Sequence, residues 1–136
     1  MKLQDIIDCF ITWGNTVRTS DLYAFNRYMK DMFKRNRVIL VSGKGRIEAV
    51  ICYFLTDNAN LPKFDNKPLW STPYDSNDGD IIFIDKMVAS KWNRRLRMTI
   101  HDAIQEKYPF VEQVIWLREP KNRHVIINMK GNHVYS

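Results

Sequence analysis

The chain predicts an α/β (α+β) fold: a mixed, mostly antiparallel sheet with one parallel βαβ crossover, flanked by helices. Three observations predict it. Asp80–Val88 is an apolar, β-branched run, followed by the basic turn Lys91-Trp92-Asn93-Arg94-Arg95-Leu96-Arg97, an amphipathic stretch to Lys107, and a second apolar run, Val111–Leu117. A strand–helix–strand unit of this size crosses over right-handedly, so its strands should be parallel neighbours, here diverging towards their carboxyl ends. The segment Arg37–Leu55 alternates as a β-hairpin does, and the residues before it repeat at helical spacing.

Each element has its own warrant. Leu3, Ile6, Ile7, Phe10 and Trp13 share one helical face, predicting a helix over residues 2–14 that stops near Gly14-Asn15. Thr19 or Ser20 suits the cap of a second helix, with Leu22, Phe25, Met29, Met32 and Phe33 as its apolar stripe to about Arg35. Both stripes are expected to cover the sheet, and Lys30, Lys34, Arg35 and Arg37 to be surface cations that suit a helix end. The hairpin turns at Ser42-Gly43-Lys44-Gly45; no helical pattern follows these glycines, which excludes a phosphate loop. Residues 57–79 form a long polar connection with three prolines, in which Leu61, Phe64, Leu69, Trp70 and Tyr74 are expected to pin the loop to the body. In the crossover helix, Leu96, Ile100, Ala103 and Ile104 should face the sheet. From Pro120 onward the pattern suits a short helix ending at Gly131, then a strand at His133-Val134-Tyr135, although Val125-Ile126-Ile127 also has strand propensity.

Composition narrows the function. At 136 residues, 45% of them hydrophobic, the chain suits a single domain over residues 1–136 with one core. No apolar run approaches the roughly 20 residues that span a bilayer. The acidic residue near the start argues against a signal peptide, so a cytoplasmic setting is expected. Cys9 and Cys52 sit in apolar runs and read as reduced core thiols; the three histidines are scattered, and no metal site is expected. A net charge of +6 favours an anionic partner. Nucleic acid is disfavoured, because Trp and Phe are not interleaved with the charges as a stacking platform requires.

The order helix, helix, hairpin, long loop, strand, helix, strand, with the hairpin Arg37–Leu55 and the unit Asp80–Leu117, resembles the Gcn5-related N-acetyltransferase superfamily over most of the chain. The resemblance implies an acyl-coenzyme A–dependent N-acyltransferase with an amine as acceptor. It makes Val88 the end of the pantetheine-binding strand and Asn93–Met98 the pyrophosphate turn. Arg94, Arg95 and Arg97 would then neutralise the phosphates of acetyl-CoA or another acyl thioester. The two glycines of the family's turn are here Leu96 and Met98, and the tyrosine that protonates the leaving thiolate would fall near Ile127. Gly79–Lys86 and Lys107-Tyr108-Pro109 also resemble the toxin-activating lysine acyltransferases, in which an aspartate at the position of Asp85 works with an early histidine; none precedes His101 here. Glycine-poor acetyltransferase-like domains of phage virions share the pattern without evident catalysis. That sets the alternative: an inactive binding or structural protein in a virion or host cytoplasm, with a protein partner or as a homo-oligomer.

Asp85 interrupts an apolar strand, where a carboxylate is costly unless paired or protonated. It suits a general base towards an amine as well as it suits a structural ion pair, for instance with Arg95. Arg94 and Arg97 share a helical face and Arg95 points elsewhere, so the three cannot all serve one ligand. Three cations at the positive end of a helix are nonetheless unfavourable without an anion. Trp92 is expected to cover the helix end and His101 to face solvent.

Overall fold

The computed structural model describes residues 3–14, 22–65, 70, 75–118 and 123–129. Its elements are α1 (Leu3–Cys9) with a π-helical last turn (Phe10–Gly14), α2 (Leu22–Lys34), β1 (Val38–Gly43), β2 (Arg46–Thr56), a 3₁₀ turn (Leu61–Phe64), β3 (Ile81–Ala89), α3 (Arg94–Lys107), β4 (Gln113–Arg118) and β5 (Arg123–Asn128). The strands form one mixed sheet in the order β1-β2-β3-β4-β5, so the predicted fold class is what is found. The chain divides into two compact units, Met1–Cys52 with Lys86–Ile100 and Tyr53–Asp85 with His101–Ser136.

In the first unit the two helical stripes supply the core. Ile6, Ile7 and Phe10 of the first helix are buried, and the Phe10 ring meets Phe25 edge-on at 5.1 Å. In α2 the buried residues are Phe25, Tyr28, Met29 and Met32. Tyr28 takes the place expected of Phe33, which is 38% exposed. Cys52 is fully buried with its Sγ 3.6 Å from Met29 Sδ, whereas Cys9 is only half-buried, and neither is in a disulfide. Burial, helped by Asp8 and Asp5, pushes the Cys9 thiol up, away from the reactive thiolate. The proposed caps Thr19 and Ser20 lie outside the described residues.

Helix α2 ends in a Schellman motif. Asn36 adopts φ 60, its N–H bonds Phe33 O at 3.0 Å, and Arg37 N–H bonds Met32 O at 2.8 Å. The motif turns Arg37 inward to 4% exposure, so it is not the surface cation expected from its position; Arg35 does lie outside, paired with Asp31 at 3.0 Å. The hairpin follows as predicted. Lys44 (φ 54) and Gly45 (φ 76) make the two central positions of the tight turn, the positive-φ pair whose twist matches antiparallel strands.

In the second unit β3 and β4 pair in parallel, Ile81 with Gln113 through Ile84 with Trp116, as the crossover rule requires. The long connection is pinned by Phe64, 4% exposed, which stacks on Phe83 at 4.5 Å and touches Phe54 at 5.6 Å. Leu69 and Tyr74 lie outside the described residues. The connection is also bonded to β2: Leu55 N–H donates to Asp75 Oδ1 at 2.9 Å, and Ser76 N–H donates to Leu55 O at 2.9 Å. Tyr53 and Tyr108, both buried, share a 2.6 Å hydroxyl–hydroxyl bond that ties the end of α3 to β2. Tyr53→Phe and Tyr108→Phe should each lower stability by about 1 kcal/mol, and the double variant by less than their sum. Urea unfolding of all four proteins checks this; strictly additive losses would mean that neither hydroxyl depends on the other.

One element differs from expectation. Residues 123–128 form a strand, not the short helix predicted after Pro120. It pairs antiparallel with β4, Gln113 with Asn128 through Arg118 with Arg123, and Gln113 Nε2 donates across to Asn128 Oδ1 at 3.2 Å. The β-branched run Val125-Ile126-Ile127 had argued both ways. Pairing satisfies one side of β4, which a helix would leave open, and that decides it. The expected strand at residues 133–135 lies outside the described residues.

Candidate functional site

The helix start is built by its cap. Asn93 Oδ1 accepts the Leu96 N–H at 2.8 Å, and Asn93 O accepts the first helical bond, from Arg97 N–H, at 3.1 Å. Arg94 and Arg95 therefore open α3, which has no acidic residue in its first turn. Lys91, Trp92, Arg94, Arg95, Arg97 and Met98 are all exposed, and Val88, just before the turn, is 5% exposed. Of the family's two glycine positions, Leu96 is 2% exposed and packs inward, while Met98 is 40% exposed.

The neighbour of this turn is a feature that sequence reasoning missed. The β1–β2 register runs Val41 with Ala49, then Ser42 with Ile47, so Glu48 is the extra residue of a β-bulge. A bulge bends its strand and re-aims a side chain. The Glu48 carbonyl accepts the Ser90 N–H at 3.0 Å, which fixes the bulge to the end of β3. Its carboxylate fills the space that a side chain at Gly43 would take: a Cβ there would collide with Glu48 Oε1 and Cδ. From that position Glu48 meets Arg95 Nη2 at 3.4 and 3.5 Å. The contact is long and Arg95 stays 69% exposed, so it is a weak surface pair. No ionic partner accompanies Lys91, Arg94 or Arg97 among the described residues. The sequence signal is faint: one carboxylate in an apolar hairpin.

The other predicted residues divide. Val88, Arg94, Arg95 and Arg97 belong to the first unit, together with Glu48. Asp85 belongs to the second unit's share of β3, directly after the four buried residues Ile81–Ile84. It is half-buried, less enclosed than its apolar neighbours suggested, because the strand opens there through Asp85, Lys86 and Met87. Arg95, one partner considered for Asp85, pairs with Glu48. Trp92 is 39% exposed, and the His101 side chain is 13% exposed, not solvent-facing, with Nδ1 3.4 Å from Asp102. No cluster of potential metal ligands occurs among the described residues, and none of the helices they form is long and apolar enough to cross a membrane.

No family model and no curated protein matches the chain. A solved structure described as a putative acetyltransferase from Staphylococcus aureus Mu50 is similar to it, with a TM-score of 0.46 and 11% identity over 85% of this chain and 75% of that one. At that score and identity the likeness assigns neither a family nor an activity.

Proposed function

We propose that the chain is an acetyltransferase-like domain that takes an acyl thioester such as acetyl-coenzyme A against the start of α3 and passes the acyl group to an amine. One observation carries the reading: four exposed cations, Lys91, Arg94, Arg95 and Arg97, crowd the positive end of a helix that follows a parallel-paired strand. That arrangement is electrostatically unfavourable until an anion arrives. The residues of this chain fit phosphate through side chains. The Arg94 and Arg97 guanidiniums would neutralise it by charge-assisted bonds, and the backbone amides after Val88 would hold the thioester carbonyl. Asp85, or a water it orients, would accept the proton of the attacking amine as the C–N bond forms and the C–S bond breaks. The departing thiolate would take its proton from solvent, since residue 127 is an isoleucine in β5.

Isothermal titration with coenzyme A and acetyl-coenzyme A tests the reading. Heat of binding is expected for the wild type. Changing Arg94, Arg95 and Arg97 together to glutamine should weaken binding at least about tenfold, by loss of charge-assisted bonds, with the melting temperature unchanged or raised as crowded cations are removed. Equal affinity in both proteins would make these arginines ordinary surface charge.

A second reading, a non-catalytic acetyltransferase-like binding or structural protein such as phage virions contain, is favoured by one observation. The Leu96 amide is already spent on the Asn93 cap, so the turn offers phosphate less backbone than a glycine turn does. Binding without acyl transfer to any amine would select it.

A further inference from the structure

We propose that Glu48 is a positioning residue that sets the anion affinity of the α3 turn, by holding Arg95 out of the set of cations that meets the ligand. This rests on the coenzyme-binding reading above and names a regulator within that site. Three independent features converge on Glu48. The bulge places it as the unmatched residue of β2, Gly43 leaves the space its carboxylate occupies, and the Ser90 N–H ties its backbone to the turn. The carboxylate then faces Arg95 Nη2 at 3.4 Å, while no such partner accompanies Arg94 or Arg97 among the described residues. Of the four cations one is neutralised in place, and the negative charge that neutralises it opposes any phosphate brought to the other three. Because the pair is long and largely exposed, it competes with the ligand without locking Arg95.

The prediction is a gain of binding, which structural damage does not produce. Glu48→Gln should bind coenzyme A about threefold tighter or more at low salt, as expected for removing one charge several ångströms from the anion, with the gain shrinking at 0.15 M salt. Gly43→Ala should reproduce that gain by a separate route. Its Cβ would displace only the flexible end of the Glu48 side chain, and Gly43 is not in the left-handed region, so the melting temperature should hold. Arg95→Gln should matter less than Arg94→Gln or Arg97→Gln in the wild type, and as much as they do in the Glu48→Gln background.

Titration of the full chain with coenzyme A and with inorganic pyrophosphate reads all of these. A wild type that binds coenzyme A, with Glu48→Gln no tighter or with Arg95→Gln as damaging as Arg94→Gln, overturns the role of Glu48 and leaves the site standing. Absence of binding by wild type and Glu48→Gln alike overturns both.

Discussion

Asp85→Asn should lower acyl transfer to an amine by a factor of about 10²–10⁴ while coenzyme A binds as before. A general base must take a proton before the amine nitrogen can attack, and an amide cannot. The carboxylate sits where β3 passes from four buried residues to three half-buried ones, which gives it both a rigid strand beneath and access to solvent. Single-turnover assays with a panel of amines, read beside titration with coenzyme A, separate the alternatives. Transfer retained in full removes Asp85 from the chemistry. A lowered melting temperature with transfer retained would show an ion pair in its place, since a carboxylate's partner left unpaired in a half-buried strand destabilises the fold.

Gly79→Ala should be among the most damaging single changes to stability. A Cβ at this buried position would stand 2.6 Å from both the backbone N and O of Thr56 and 2.9 Å from the carbonyl carbon of Leu55. Those atoms belong to β2 and cannot rotate aside as a side chain can. Either the strand or the incoming connection must move, and the connection's anchors at Asp75 and Ser76 bond Leu55 itself. The expected loss is roughly 3 kcal/mol, or a fall in melting temperature of about 10 °C. Thermal unfolding by circular dichroism measures it, and a shift of only a degree or two would mean that the connection gives way freely.

Periodicity made most of the architecture legible. The hairpin, the crossover and both amino-terminal helices rest on apolar spacing, which is a local property, and the parallel pairing of β3 with β4 follows from chirality once those elements are placed. Where local signals balanced, tertiary context decided: Val125-Ile126-Ile127 became a strand because β4 had an edge to satisfy. Tyr28 replaced Phe33 in the core because the hydrophobic ranking says little about which of two aromatic residues on neighbouring faces turns inward. The cations of the turn were legible as charges. Their division was not, because Glu48 lies 47 positions before Arg95 and reaches it only through a bulge, a register event that leaves no mark in composition. The partial exposure of Asp85 was hidden for a similar reason: apolar neighbours in sequence predict burial, and the half-buried residues after it end that burial within one position.

The turn at Lys44-Gly45 bears on how the chain comes to be folded at all. With both central residues at positive φ, β1 and β2 close over two residues, so their pairing joins positions near in sequence and can form in microseconds. The pairing of β3 with β4 must instead wait until the 28 residues between Ile84 and Gln113 have been organised, α3 among them. The hairpin is thus the natural early template, and its free edges stay open while the parallel pair assembles. In that interval a nascent chain is most exposed to its own copies.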